Sequence, residues 1–410
     1  MLHDPARHEP LRPLRWDEHQ VRAAIERIVA ETESRFAGEL YWPLHPLDRR
    51  RENTAEQFET PLYDGACGVI WALHYLQAVG AATLSRRYST ELDRLLAHNR
   101  SRLGEPSEQK RASYLIGDTP ILMMAHGEQP TDALERALDA LIAGNIEHPA
   151  RELMWGSPGT MLAALFLHER TAKPRWAELF RSTAGTLWRQ LEWSPRHRCH
   201  YWTQDLYGRR STYLDGVHGF VATALPLIRG RHLLDAEARD AWEGCIVNTV
   251  RRTADVLGPH ANWRPELDGA SDAQKKLVQF CHGAPGFVVC LAGLPGAALD
   301  DLLLAAGETV WSAGPLIKGS NLCHGTGGNG YALLKLYGRT GDARWLERAR
   351  SFAMHGIAQT DEHARHHGQM RYSLWTGDLG FAVYLWDCLR AEAQFPTLDV
   401  FDADGSRAVA

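Results

Sequence analysis

The sequence predicts an all-α protein in which helix pairs close into a ring, and three observations carry that expectation. Glycine turns recur along most of the chain, each turn is followed by a run that is apolar on every side, and the segments between the runs are apolar on one face only. The first turns are Gly65-Ala-Cys-Gly68 before VIWALHYL, Gly117-Asp-Thr-Pro before ILMMA, and Gly156-Ser-Pro-Gly159 before TMLAALFL. Gly216-Val-His-Gly219 before FVATAL and Cys281-His-Gly283-Ala-Pro-Gly286 before FVVCLAGL follow. Cys323-His-Gly325-Thr-Gly-Gly-Asn-Gly330 before YALLKLY and Gly377-Asp-Leu-Gly380 before FAVYLW close the set. The starts at 65, 117, 156, 216, 283, 325 and 377 are separated by 52, 39, 60, 67, 42 and 52 residues, room for two helices and two connections per unit.

Runs that are apolar all round belong to buried helices. The intervening segments keep a single apolar face at a 3.6-residue period. Trp176, Leu179, Phe180, Ala184, Leu187, Trp188 and Leu191 form one such face, and Trp345, Leu346, Ala349, Phe352 and Ala353 another. The segment from Thr131 repeats the pattern. Buried helices alternating with one-faced helices give two concentric layers. An open stack of repeats needs polar capping units at its ends, which this sequence lacks, so the expectation is a closed α/α toroid of seven inner and seven outer helices. It forms a single domain over residues 1–410, with core repeats at about 63–386 and an N-terminal extension at 1–62. Glycine at the inner helix starts permits close backbone approach and unusual φ, and exposed amides there predict a rim suited to anions. Pro226 should kink its helix or end it early.

Composition limits the function. The chain has 410 residues with 44% hydrophobic and 23% charged residues, which excludes a disordered or collagen-like protein. A formal net charge of -5 offers no electrostatic case for nucleic acid or an anionic membrane. No run approaches the roughly 18 apolar residues of a membrane span, and the polar start MLHDPARHEPLRPLRW lacks the apolar core of a signal peptide. Seven cysteines thinly spread point to a reducing, cytoplasmic setting.

Only two of these cysteines precede histidine inside a glycine turn: Cys281-His282 and Cys323-His324, in adjacent units. In a toroid, equivalent positions of adjacent units face one central cavity. Two thiols and up to two imidazoles then converge near helix N-termini, which lower thiol pKa. Three ligands from that set and one open position describe a catalytic Zn²⁺ site. His218 holds the corresponding place in the Gly216–Gly219 turn and could move a proton near neutral pH. Cys245, Cys290 and Cys388 read as small core residues, Cys67 as a turn residue without a following histidine, and Cys199 in SPRHRCHYW as loop. That stretch and His363–His367 read as solvated loops, and Asp64, Asp215 and Asp378 as helix caps.

The CHGAPG at Cys281–Gly286 and NLCHGTGGNGY at Asn321–Tyr331 resemble the signatures of the lanthionine synthetase C-like (LanC-like) family, and GVHGF at Gly216–Phe220 resembles its HGxxG element. The pattern is nearer the stand-alone LanC-like branch than the bacteriocin cyclases. The resemblance implies a seven-unit α/α toroid holding one zinc through Cys281, Cys323 and His324, with His218 as the acid/base residue. His282 takes an active-site position, and Glu152 stands where the cyclases carry a catalytic Asp. Leu277, with Lys275 and Lys276 beside it, replaces a cyclase arginine. The implied reaction adds a thiolate to dehydroalanine or dehydrobutyrine and protonates the resulting enolate from His218. The thiol is a cysteine of the same peptide or glutathione, whose carboxylates Lys275, Lys276 and Lys318 could hold.

The alternative is a non-catalytic adaptor that binds glutathione or a peptide. Fold analogy also admits glycosidases and prenyltransferases. No carboxylate pair outranks the Cys-His set for the first, and the ligand set lacks the Asp of the second.

Overall fold

The computed structural model describes residues 2–49, 58–104, 108–269 and 276–403. In chain order its helices are α1 (Glu18–Ser34), α2 (Ala66–Ala78), α3 (Leu92–Leu103), α4 (Glu108–Ala112), α5 (Thr119–Glu128), α6 (Asp132–Gly144), α7 (Ser157–Thr171) and α8 (Pro174–Arg189). They continue with α9 (Phe220–Arg229), α10 (Ala236–Thr253), α11 (Ala284–Leu291), α12 (Asp300–Ala313), α13 (Thr326–Thr340), α14 (Ala343–His367) and α15 (Asp378–Arg390). Every apolar run that follows a glycine turn is an inner helix, buried over most of its surface: α2, α5, α7, α9, α11, α13 and α15. Each touches the next, and α15 touches α2, so the inner layer is a closed ring.

The outer layer is made of α3, α6, α8, α10, α12, α14 and α1. Helix α1 comes from the N-terminal segment and packs on α15 and α14, supplying the outer helix of the last unit. Side chains cap four of the outer helices: Asp17, Thr131, Asp235 and Asp342 accept amides of the first turns of α1, α6, α10 and α14.

The inner helices start differently, and here one expectation is corrected. Glycines at their N-caps make no side-chain bond. The first amides of most inner helices are nonetheless not free to bind anions, because the connection folds back over its own helix start, and the first amide of α11 donates to Asn262 Oδ1 instead. Ala66, Phe220, Thr326 and Asp378 donate to carbonyls of Glu59, Tyr213, Gly319 and Arg371, each seven residues earlier. The fold-back is also what demands the second glycine. A Cβ at Gly286 or Gly328 would collide with the carbonyl oxygen of Phe280 or Leu322. Unusual φ plays a smaller part than expected, since among the inner-helix N-caps only Gly283 has a positive value, 102°. Gly328→Ala is expected to destabilise the fold by about 3 kcal/mol, as overpacking against backbone does. Chemical denaturation checks it, and an unchanged midpoint would refute the close-approach argument.

Three antiparallel hairpins were not expected: β1 (Glu192–Ser194) with β2 (Cys199–Tyr201), β3 (Gln204–Leu206) with β4 (Arg209–Ser211), and β5 (Ala254–Leu257) with β6 (His260–Trp263). SPRHRCHYW is therefore hairpin rather than open loop, and Cys199 is buried. His363–His367 likewise ends the 25-residue α14. Pro226 lies inside the ten-residue α9, which continues to Arg229. Cys67, Cys245, Cys290 and Cys388 are all buried.

The chain's last described stretch fills the lumen beneath the turns. Phe395, Leu398 and Phe401 are buried there, Phe395 stacks on Phe280 at 4.7 Å, and Thr397 O accepts from Tyr114 Oη at 2.7 Å. No helix among the described residues is long and apolar enough to cross a membrane.

Candidate functional site

The seven turns meet on the ring axis through backbone hydrogen bonds. Tyr63 N donates to Leu115 O, Leu115 N to Met154 O and Leu153 N to Val217 O. On the other side Cys281 N donates to Cys323 O, Cys323 N to Trp375 O, and Trp375 N to Tyr63 O. Tyr63, Leu115, Met154, Val217, Cys281, Cys323 and Trp375 thus hold one equivalent position, two residues before the turn glycine. Among the described residues no such bond joins Val217 to Cys281.

Positional equivalence brings the predicted ligands together. One ligand atom from each of Cys281, Cys323 and His324 lies within 4.8 Å of the others. Two further groups hold the sulfurs: Tyr63 Oη donates to Cys323 Sγ at 2.9 Å and Gln279 Nε2 to Cys281 Sγ at 2.9 Å. The hydrogen bond from Cys281 and that from Tyr63 hold the Cys323 thiol below its ordinary pKa, while the same shared proton and burial push Cys281 up. Two thiols, one of them made more acidic, and an imidazole in one largely buried group are the soft donor set that zinc takes. These residues could hold a metal ion.

Beside this group lie two carboxylate–imidazole pairs, each built on a side chain four residues before a helix-cap glycine. Glu152 accepts the amides of Met154 and Trp155 and pairs with His218 Nδ1 at 2.8 Å. Asp215 Oδ1 accepts the amides of Val217 and His218 at 3.0 and 2.7 Å, and its Oδ2 lies 2.8 Å from His282 Nδ1. Burial alone would lower both imidazole pKa values. The hydrogen bond and charge of Glu152, helped by Asp215, instead raise His218 to about 9. The charge of Asp215 raises His282 to about 9. Asn321 uses the same turn position to accept the amide of His324 at 3.0 Å.

The predicted lysines are placed apart from each other. Lys318 is exposed and lines a depression with Asn321 and His363. Lys276 is exposed beside Leu2 and Arg264, and Lys275 falls outside the described residues. Sequence reading missed Tyr63, Gln279 and the second role of Asp215. Tyr63 stands two residues before Gly65 as the cysteines stand before their glycines, so the repeat register contained that signal. It also missed Arg7, whose Nη2 donates to Gln279 Oε1 at 3.0 Å; nothing in the N-terminal segment's pattern points there.

A sequence model described as lanthionine synthetase C-like protein matches residues 56–400. The chain belongs to the lanthionine synthetase C-like family. Among curated relatives, Glutathione S-transferase LANCL1 of Danio rerio is 36% identical over 212 residues, 48% of this chain and 47% of that protein. LanC-like protein GCL1 of Arabidopsis thaliana is 34% identical over 209 residues, 48% of this chain and 45% of that protein. This LanC-like chain thus matches about half the length of each. Among solved structures, nisin cyclase superposes with a TM-score of 0.64 at 15% identity, covering 95% of this chain and 100% of that one. That likeness establishes the shared α/α toroid fold.

Proposed function

We propose that this LanC-like protein is an enzyme that adds a thiol to a dehydroalanine or dehydrobutyrine residue, forming a thioether, with zinc held by Cys281, Cys323 and His324. The observation that carries the reading is the juxtaposition of that thiol–thiol–imidazole group with the Glu152–His218 pair. A zinc ion there would keep a substrate thiol deprotonated at neutral pH.

The protein's own groups account for the remainder of the chemistry. Sulfur bonds to the β-carbon, the C=C electrons move toward the carbonyl, and the α-carbon must gain a proton; nothing leaves. Glu152 engages His218 Nδ1, so Nε2 is the atom that delivers the proton. A pKa of about 9 keeps His218 charged and able to donate at neutral pH. Asp215 Oδ2 lies 2.8 Å from His282 Nδ1 on the neighbouring turn, placing a second imidazole beside the thiols. Glutathione is the proposed thiol, supported by the name of the zebrafish relative; a cysteine of the same peptide is the thiol that the likeness to nisin cyclase suggests. Lys275, Lys276 and Lys318 are the proposed partners of glutathione carboxylates. A reducing cytoplasmic setting suits the seven free thiols.

Incubation of the purified protein with glutathione and a dehydroalanine peptide is expected to give a peptide gaining the mass of one glutathione. A peptide that also contains cysteine distinguishes ring closure, which leaves its mass unchanged while removing the free thiol. Binding of glutathione with no product from either peptide would replace this reading with a non-catalytic adaptor.

A further inference from the structure

Hairpin β3–β4 carries a costly choice of residue. Leu206 pairs with Arg209, so the loop between them is Tyr207-Gly208, and both residues have positive φ, 54° and 74°. Two-residue turns of this kind favour Asn or Asp in the first place, because an L side chain without local hydrogen bonding is strained there. A bulky aromatic at positive φ is an outlier that invites a functional explanation. Tyr207 is also 70% exposed, so burial of its ring does not offset the strain.

Its position supplies the explanation. The Tyr207 ring stands edge-on to His218 at 6.3 Å and to Trp155 at 6.5 Å, and its Oη accepts Trp155 Nε1 at 3.1 Å. The Tyr213 ring lies 5.9 Å from His218 and 6.3 Å from His282. The hairpin is tied to Tyr213 at its base, where Gln204 Oε1 accepts Tyr213 N at 2.8 Å. The exposed aromatic tip is therefore held over the imidazole that faces the reaction.

We propose that Tyr207 and Trp155 form the wall against which the acceptor lies, the flat C=C–C=O unit of a dehydroamino-acid residue within a peptide. The inference rests on the proposed reaction for the identity of the acceptor. Aromatic faces and edges pack well on a planar conjugated unit, whereas a saturated residue with a tetrahedral α-carbon cannot lie flat. The wall thus selects the unsaturated residue before addition and loosens its hold on the thioether product.

The test uses Tyr207→Asn, which removes the ring while giving the turn its preferred residue. Its thermal stability is expected to equal or exceed that of the wild type, so weakened binding in this variant reflects the ring. Calorimetric titration with a dehydroalanine peptide, in the absence of thiol, is expected to show Kd raised about tenfold in Tyr207→Asn. Tyr207→Phe should stay near wild type, and a peptide with alanine in place of dehydroalanine should bind all three forms equally weakly. In turnover assays KM for the peptide should rise while KM for glutathione is unchanged. Equal Kd for wild type and Tyr207→Asn, or no peptide binding by the wild type, would overturn the wall. Peptide binding that depends on Tyr207 without any turnover would leave the wall standing and remove the catalytic reading.

Discussion

Cys323→Ala is expected to purify without metal and to form no thioether, the largest effect predicted for this protein. Elemental analysis of the wild type should find one zinc per chain, and of the variant essentially none. Removing one of the three proposed protein ligands takes away the geometry as well as the sulfur. The substitution is mild for the fold, because the Cys323 amide and carbonyl bonds to Trp375 and Cys281 are backbone bonds that alanine retains. Comparable circular dichroism with lost zinc is therefore the expected combination. A glutathione adduct formed at equal rates by both proteins would refute the metal mechanism. Tyr63→Phe grades the effect. Losing the hydrogen bond to Cys323 Sγ leaves all three ligands in place, and zinc affinity should fall about 10- to 100-fold, as second-sphere substitutions do.

His218→Ala should retain zinc and lose about 10²- to 10⁴-fold in turnover, the range of a lost general acid. An unchanged rate would remove His218 from the chemistry. The pH profile tests how the acid is tuned. Because the folded pKa is raised to about 9, His218 remains protonated through neutrality, and the rate should fall as pH rises through that value. Glu152→Gln removes the main cause of the elevation while burial continues to act in the opposite direction, so the alkaline fall should move to lower pH. The stability linkage has the same sign. The contribution of the pair is fully present below the ordinary imidazole pKa and is lost as pH rises through about 9. An alkaline limb unmoved in Glu152→Gln would show that another group titrates.

The ring of helices was readable because its signal is repeated. One GxxG says little, but the recurrence from Gly65 to Gly377 fixes both the number of units and the register within each. That register brought forward Cys281, His282, Cys323, His324 and His218 without any contact information, since equivalent positions in a ring face one axis, and the family resemblance chose His324 over His282 as the ligand. What the register could not supply were partnerships between different units. Asp215 looks like a helix cap in the sequence, and it does bind the amides of its own turn. Only the packing of one unit on the next brings its second oxygen to His282, on the following turn. Arg7 reaches Gln279 across most of the chain, and no local pattern encodes such a meeting. The hairpins escaped for another reason. Their strands are three or four residues long, too short for an alternating pattern to stand out from loop. Cys199 was misplaced with them. The anion rim failed because backbone amides were counted as free without asking which carbonyls the connecting segments would offer.

The union of α1 with α15, together with the bond from Trp375 N to Tyr63 O, has a consequence for how the protein comes into being. A linear array of repeats can mature stepwise behind the ribosome, each unit seated on the one before. Here the first outer helix has nothing to dock on until the last inner helix has been synthesised. Every earlier stage carries two raw apolar flanks, so the nascent chain is exposed to chaperones and to mispairing for nearly the whole of translation. The mature ring, by contrast, has no first unit. A circular permutant that links the segment before α1 to the segment after α15 and opens an outer connection instead should fold to the same ring, with its thiols and imidazoles meeting as before.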